Sequence, residues 1–238
     1  MGTKSNISLL GFRRRMMLAV NDTKPDYTIL DAHGVAIMDI KGKFYPDVAS
    51  WQAAGSPTAN GIAVSDGVHR FCISKDMIAK VNDAGDYPDT EYWGAWGTQV
   101  NEVKTTDDKT LAKQDFDGFS NTDAIVYYVN YSDGYFTKYP LSAAGLCNDY
   151  IFPNGKRGYL GALGEWHLVQ NSIDTINTLM DAIGERIDTN PSSWPYYWSS
   201  TQFDSDTAWY WSFYSKNFSS SSKYYKRRVR AFCTLDNP

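Results

Sequence analysis

The chain lacks the features that identify several protein classes. It has no apolar run near the ~20 residues that a membrane-spanning helix needs. It has only three cysteines in 238 residues, Cys72, Cys147 and Cys233. Their odd number and wide spacing fit neither a disulfide framework nor a metal-ligand pattern, so they are expected as buried thiols. Histidines also number three, and His33 and His69 stand apart from any matching ligand pattern. The net charge of −4 provides no basic field for nucleic acid. The cluster Arg13, Arg14 and Arg15 is followed by only five apolar residues before Asn21. That is too short for a signal-peptide core, so residues 1–30 are expected as an arm and 31–238 as one domain. Without an export signal, a phage particle or a host surface reached by another route is the expected location.

What the chain has instead is aromatic mass, with 17 Tyr, 11 Phe and 8 Trp. From Gly34 onward the pattern is β-like. Val35 to Asp39 is a short apolar run, a turn follows to Lys43, and Phe44 and Tyr45 resume it. Runs at 61–65 and 70–74 flank Asp66 and Gly67, a hairpin signal. A short helix is expected from Ser74 to Met77. Thr105 to Asp108 should cap a helix through Ala112, and Asp123 a short one near Tyr127. Residues 128–140 read as a surface excursion. A short helix is expected at 161–169. Ile173, Ile176, Leu179, Met180 and Ile183 recur at helical spacing, with Gly184 as the stop. Strands are expected from Tyr196, at 209–214 and at 229–233.

The segment Trp209-Tyr210-Trp211-Ser212-Phe213-Tyr214 separates two kinds of residue. Successive strand side chains point to opposite faces. Trp209, Trp211 and Phe213 therefore form a core face, and Tyr210, Ser212 and Tyr214 a solvent face. Tyr and Ser together are the working composition of antibody paratopes, where Tyr supplies rigid contact area and Ser adaptable hydrogen bonds. The run NFSSSSKYY at 217–225 has the same composition.

Three stretches carry a resemblance: YIFPNGKRGYLGALGEW at 150–166, YYWSSTQ at 196–202 and RVRAF at 228–232. Weaker matches are GVAIMD at 34–39 and YWGAWGT at 92–98. Together they resemble the variable proteins of diversity-generating retroelements of gut bacteria and their phages. The resemblance implies an α+β, C-type-lectin-like fold with small twisted antiparallel sheets and two helices. It also implies a variable region at about 196–233. In that family a reverse transcriptase miscopies template adenines, and AAC codons become any codon ending in C. Trp, Lys, Glu, Gln and Met cannot arise in this way.

The expected variable, ligand-binding positions are Phe203, Asp204, Ser205, Asp206, Thr207, Tyr210, Ser212, Tyr214, Ser219, Ser220, Ser221, Ser222, Tyr224 and Tyr225. All are reachable from AAC, as is Arg227 through CGC. Trp209, Trp211, Lys216 and Lys223 are not. The serine run then reads as diversified positions on a fixed loop. The expected partner is a macromolecule, a cell-surface protein or glycan, bound without catalysis, cofactor or metal. The alternative is an invariant lectin-like adhesin.

Other chemistry is weaker. Glu165, Trp166 and His167 could suggest acid–base work, but the Glu-Trp pair reads as helix packing. Formylglycine-generating enzymes, relatives in fold, need two reactive cysteines near the C-terminal end, where this chain has only Cys233. Asp115, Asp117, Asn121 and Asp123 are oxygen donors that could suit calcium, without the spacing of an EF-hand loop. Lys223, Lys226, Arg227, Arg228 and Arg230 read as a basic, solvated strand face.

Overall fold

The computed structural model of the chain describes residues 25–78, 90–131 and 142–235. The architecture is α+β, with seven α-helices and two sheets among the described residues. The order begins α1 (Thr28–His33), β1 (Val35–Asp39), β2 (Phe44–Tyr45), α2 (Val48–Ala53), β3 (Ala59–Ser65), β4 (Arg70–Ser74) and β5 (Thr90–Glu91). Next come α3 (Lys109–Ala112), α4 (Gly118–Tyr131), α5 (Ala143–Asp149), β6 (Tyr159–Leu160), α6 (Leu163–Asn171) and α7 (Ile173–Ile183). The chain closes with β7 (Tyr196–Gln202), β8 (Thr207–Ser212), β9 (Asn217–Ser222), β10 (Arg227–Arg228) and β11 (Ala231–Thr234).

The first sheet has the order β2-β1-β3-β4-β11-β6, all antiparallel. Every residue of β1 is buried. That follows from cover on both faces: Val35 and Ile37 pack in one core cluster, Ala36 and Met38 in the other. A strand buried on both faces reads as a continuous apolar run rather than an alternating one. One cluster joins the sheet to Trp166, Ile176, Leu179 and Met180 of α6 and α7. The other joins it to Ile125 of α4 and to Ala143, Ala144 and Cys147 of α5. The second sheet, β5-β10-β7-β8-β9, is antiparallel except for the β10–β7 pair.

The hairpin at Asp66 and Gly67 forms with Ser65 opposite Arg70. The Asp39 carboxylate closes the β1–β2 turn by accepting from Lys41 N and Lys43 N. Asp108 caps α3 by accepting from Thr110 N and Leu111 N. The arm boundary expected at residue 30 falls inside α1, where Leu30 is fully buried. Residues 1–24, most of that arm, lie outside the described residues.

Several expectations need correction. No helix starts at Ser74; its hydroxyl donates to Asp76 O, and Met77 N donates to the Glu185 carboxylate. Asp123 caps nothing: α4 begins five residues earlier, at Gly118, and runs through it to Tyr131. Of the excursion expected at 128–140, residues 128–131 belong to α4 and 132–140 lie outside the described residues. Gly184 ends α7 with φ −177°, an extended conformation open to any residue. Its reason for being glycine is contact, since a Cβ there would lie 2.2 Å from Lys75 O. The resemblance implies two helices where seven form among the described residues; α3, α4, α6 and α7 lie at or near segments that caps and periodicity pointed to, whereas α1, α2 and α5 are too short to show a period. The serine run is not a loop but the edge strand β9.

Candidate binding surface

The candidate site is built on β7, β8, β9 and β10. Opposed residues of an antiparallel pair share a face. Trp211 lies opposite Phe218 and Tyr197, and Tyr210 opposite Ser219 and Trp198. One face thus carries Tyr197, Trp209, Trp211 and Phe218, all buried against α6. Trp166 fills the space beneath, and its indole N–H donates to Trp198 O at 3.0 Å. The core face expected from alternation is present: Trp209, Trp211 and Phe213 are 1%, 2% and 4% exposed.

The opposite face is less open than alternation alone suggests. Tyr210 is half-buried, stacked under the Arg227 guanidinium at 3.8 Å. Ser212 is buried, which corrects its placement on a solvent face; its hydroxyl accepts from Ser215 N in the turn after β8. Trp198 and Ala208 are covered by the segment around Trp93, Val100 and Val103. Phe203 is half-buried with its ring 5.0 Å from Trp209. The Asp204 carboxylate organises the turn before β8, accepting from Asp206 N, Thr207 N and the Thr207 hydroxyl. Ser205 and Thr207 are partly exposed in that turn, as are Ser220, Ser221 and Ser222 along β9. Asp206, Tyr214, Ser219, Tyr224 and Tyr225 are exposed.

The platform beneath is held by polar groups that have partners. In β7 the register shifts between Trp198 and Gln202. The side chains in this interval are buried and bonded. Ser199 donates to Trp209 O, and Thr201 donates to the Asp115 carboxylate at 2.7 Å while accepting from Leu163 N. Gln202 accepts from Val100 N and donates to the Thr105 hydroxyl. Asp115 also accepts from Asn121 and Asp117 N, and Asp123 pairs with Arg157. The suggested calcium donors therefore do not converge: Asp115 is taken by protein donors and Asp123 faces a cation. Burial raises the Asp115 carboxyl above its usual range despite those bonds.

Lys223 is the residue that sequence reasoning misplaced most. It is fully buried, not on a solvated strand face. Its ammonium donates to Gln202 Oε1 at 2.7 Å, Thr98 O at 3.0 Å and Ser205 O at 3.0 Å, with Ala95 O at 3.4 Å. The Trp93 ring lies 4.6 Å away. This nitrogen ties the 93–98 loop, the end of β7 and the 203–206 turn to the segment that displays Tyr224 and Tyr225. Burial pulls its pKa down to about 7, against the attraction of Asp204 and Asp206. Arg230 is internal as well, donating to Ser74 O, Glu185 O and Arg186 O.

Glu165, read from the sequence as part of a helix-packing pair, is buried at the start of α6. Its carboxylate accepts from Ala162 N and the Tyr159 hydroxyl, both at 2.6 Å. Burial pushes its pKa up to about 8. Burial also lowers the His167 pKa, and its ring lies 5.6 Å from Trp211. All three cysteines are free and buried. Cys72 faces Cys233 across the β4–β11 pair, a neighbour hidden by their sequence separation. Burial drives the Cys72 thiol well above its usual pKa, which disfavours the reactive thiolate. His69 stacks on Phe116 and bonds Asp66. No helix among the described residues is long and apolar enough to cross a membrane.

No protein-family model matches the sequence, and no curated protein matches it. Among solved structures, the fold is similar to a fimbrial protein from Bacteroides ovatus, at 17% identity and a TM-score of 0.47. The match covers 70% of this chain and 36% of the fimbrial chain, so this chain spans about a third of that protein's length.

Proposed function

We propose that the chain is a hypervariable binding protein with a C-type-lectin-like scaffold, and that retroelement mutagenesis diversifies the surface between residues 203 and 227. The partner is a macromolecule at a cell surface, bound without catalysis. One observation carries the reading. Of the five residues in 203–227 that an AAC template codon cannot produce, Trp209, Trp211 and Lys223 are buried and Lys226 is partly exposed. The fifth, Lys216, is exposed but has φ 51° in the turn between β8 and β9. Of the exposed positions, Asp206, Tyr214, Ser215, Asn217, Ser219, Tyr224 and Tyr225 are reachable and Lys216 is not. Random substitution is tolerable where side chains face solvent and costly where they fill a core. The two tryptophans and Lys223 follow that division, and the reachable residues make up all but one of the exposed positions.

The test is to sequence the 3′ end of this gene across many cells or particles of the source population. Variation confined to codons 203–227, at adenines of a nearby template, is the expected result. A uniform sequence would overturn the reading and leave the invariant adhesin in its place.

A further inference from the structure

Five cations lie between positions 223 and 230, and the fold commits three of them internally. Lys223 and Arg230 are wrapped in carbonyl oxygens. Arg228 pairs with Asp188 at 2.9 Å and reaches Ser193 O. Lys226 rests over the Tyr92 ring.

Arg227 is different. Its guanidinium stands 3.8 Å from the Tyr210 ring centroid, 5.1 Å from Tyr196 and 5.2 Å from Trp198. Its Nε is buried with no hydrogen-bond partner, as is that of Arg230, but both Arg230 Nη nitrogens donate to carbonyls whereas those of Arg227 make no hydrogen bond within the described residues. Glu91 lies opposite across the β10–β5 pair. A guanidinium stacked on a ring still has its in-plane donors, a fork that matches a carboxylate. It stays charged even when partly desolvated. A buried donor without an acceptor is uncommon in native proteins and calls for a partner.

The surroundings fit an interface. Trp194 and Tyr196 continue the ring row from Tyr210, with centroid separations of 5.9 and 5.3 Å. Trp194, Tyr225 and Tyr214 are 67%, 61% and 59% exposed. Trp, Tyr and Arg are the residues that dominate binding at protein interfaces. These rings offer exposed flat contact area, as anchors at protein interfaces do. Tyr beside Ser is the chemistry of surfaces that bind proteins.

We propose that Arg227 is the anion-recognising anchor of this surface, taking an Asp or Glu carboxylate of a protein partner while Tyr196 and Tyr210 hold its guanidinium. This rests on the binding reading above and names the partner's chemistry.

The test follows the Arg227 Nε–H resonance in the full chain labelled with 15N-arginine, assigned by its loss in Arg227→Met. The probes are the peptide acetyl-Gly-Tyr-Glu-Tyr-Gly-amide, its Gln counterpart and trigalacturonate. The expected result is a saturable shift with the Glu peptide, with both other probes at least about tenfold weaker. Arg227→Lys, which keeps the charge and loses the fork, is expected to weaken Glu-peptide binding by about tenfold as well, read by isothermal titration calorimetry of both proteins. It also assigns the resonance if Arg227→Met does not fold. Equal responses to the Glu and Gln peptides, or no saturable shift at millimolar peptide, would overturn the proposal. A stronger response to trigalacturonate would overturn it in favour of acidic sugars. The population sequencing does not depend on any ligand, so failure here and failure of the diversified reading are separable.

Discussion

At the scale of single residues, the surface separates side chains that hold the platform from side chains that stand on it. Trp209→Ala and Trp211→Ala each empty a site sealed against α6 and Phe218. Each is expected to cost ~3–5 kcal/mol, read by chemical denaturation. Tyr214→Ala and Tyr225→Ala remove exposed rings and should leave the melting temperature nearly unchanged, within roughly 0.5 kcal/mol. Tyr210 belongs to neither class cleanly, because it supports Arg227 and packs beside Trp198. Its truncation should lower stability measurably as well as alter binding. Lys223→Met keeps the stem volume and removes the nitrogen that serves Gln202, Thr98 and Ser205. The expected loss is roughly 2–4 kcal/mol, from acceptors left without a donor. Hydrogen exchange should accelerate in the 95–98 loop and the 203–206 turn before it does in the first sheet.

At the scale of elements, β9 shows why a serine run can be ordered. Six consecutive pairs with β8 fix it, and Phe218 anchors it opposite Trp211. The strand depends on backbone pairing and one aromatic, so its serine side chains carry little of its packing. As an edge strand it is also a template for unwanted pairing, which short polar side chains discourage. The end of α7 is secured differently. Gly184 lets its backbone pass against Lys75, and Arg230 from β11's approach donates to carbonyls on both sides. Gly184→Ala should therefore destabilise by about 1–3 kcal/mol through overpacking, with no contribution from backbone φ. A thermal-shift comparison with Gly67→Ala separates the two causes. Gly67 has φ 87° and open space around it, so its penalty is conformational alone.

At the scale of the whole molecule, two buried groups shape the dependence of stability on pH. Glu165 has its folded pKa raised to about 8 by burial. The folded state then binds the proton more tightly than the unfolded chain does. Its contribution is full below the ordinary carboxyl pKa and is lost as pH rises through about 8. Lys223 has its folded pKa lowered to about 7. The folded state releases that proton first, so stability rises with pH from about 7 to the ordinary lysine pKa. Together the two place a shallow minimum near pH 7–8. Glu165→Gln should flatten the acid side of a melting-temperature profile, and Lys223→Met the alkaline side. A profile unchanged by both substitutions would show that neither group titrates in this range.

Alternation and periodicity by themselves determined the local elements: the β3–β4 hairpin, the capped α3, helix α7 and the tryptophan face of β8. These depend on neighbours in sequence, where spacing alone sets which side chains share a face. The tertiary structure decided the rest, because burial depends on what another part of the chain places opposite. Lys223 and Arg230 look like surface cations until distant carbonyls surround them. Ser212 alternates outward yet is covered, and Cys72 meets Cys233 across 161 positions through a strand pairing. Four serines read as loose chain until β8 pairs with them. The aromatic and serine content made a binding surface legible. Only the tertiary packing placed the Arg227 guanidinium among Tyr196, Trp198 and Tyr210.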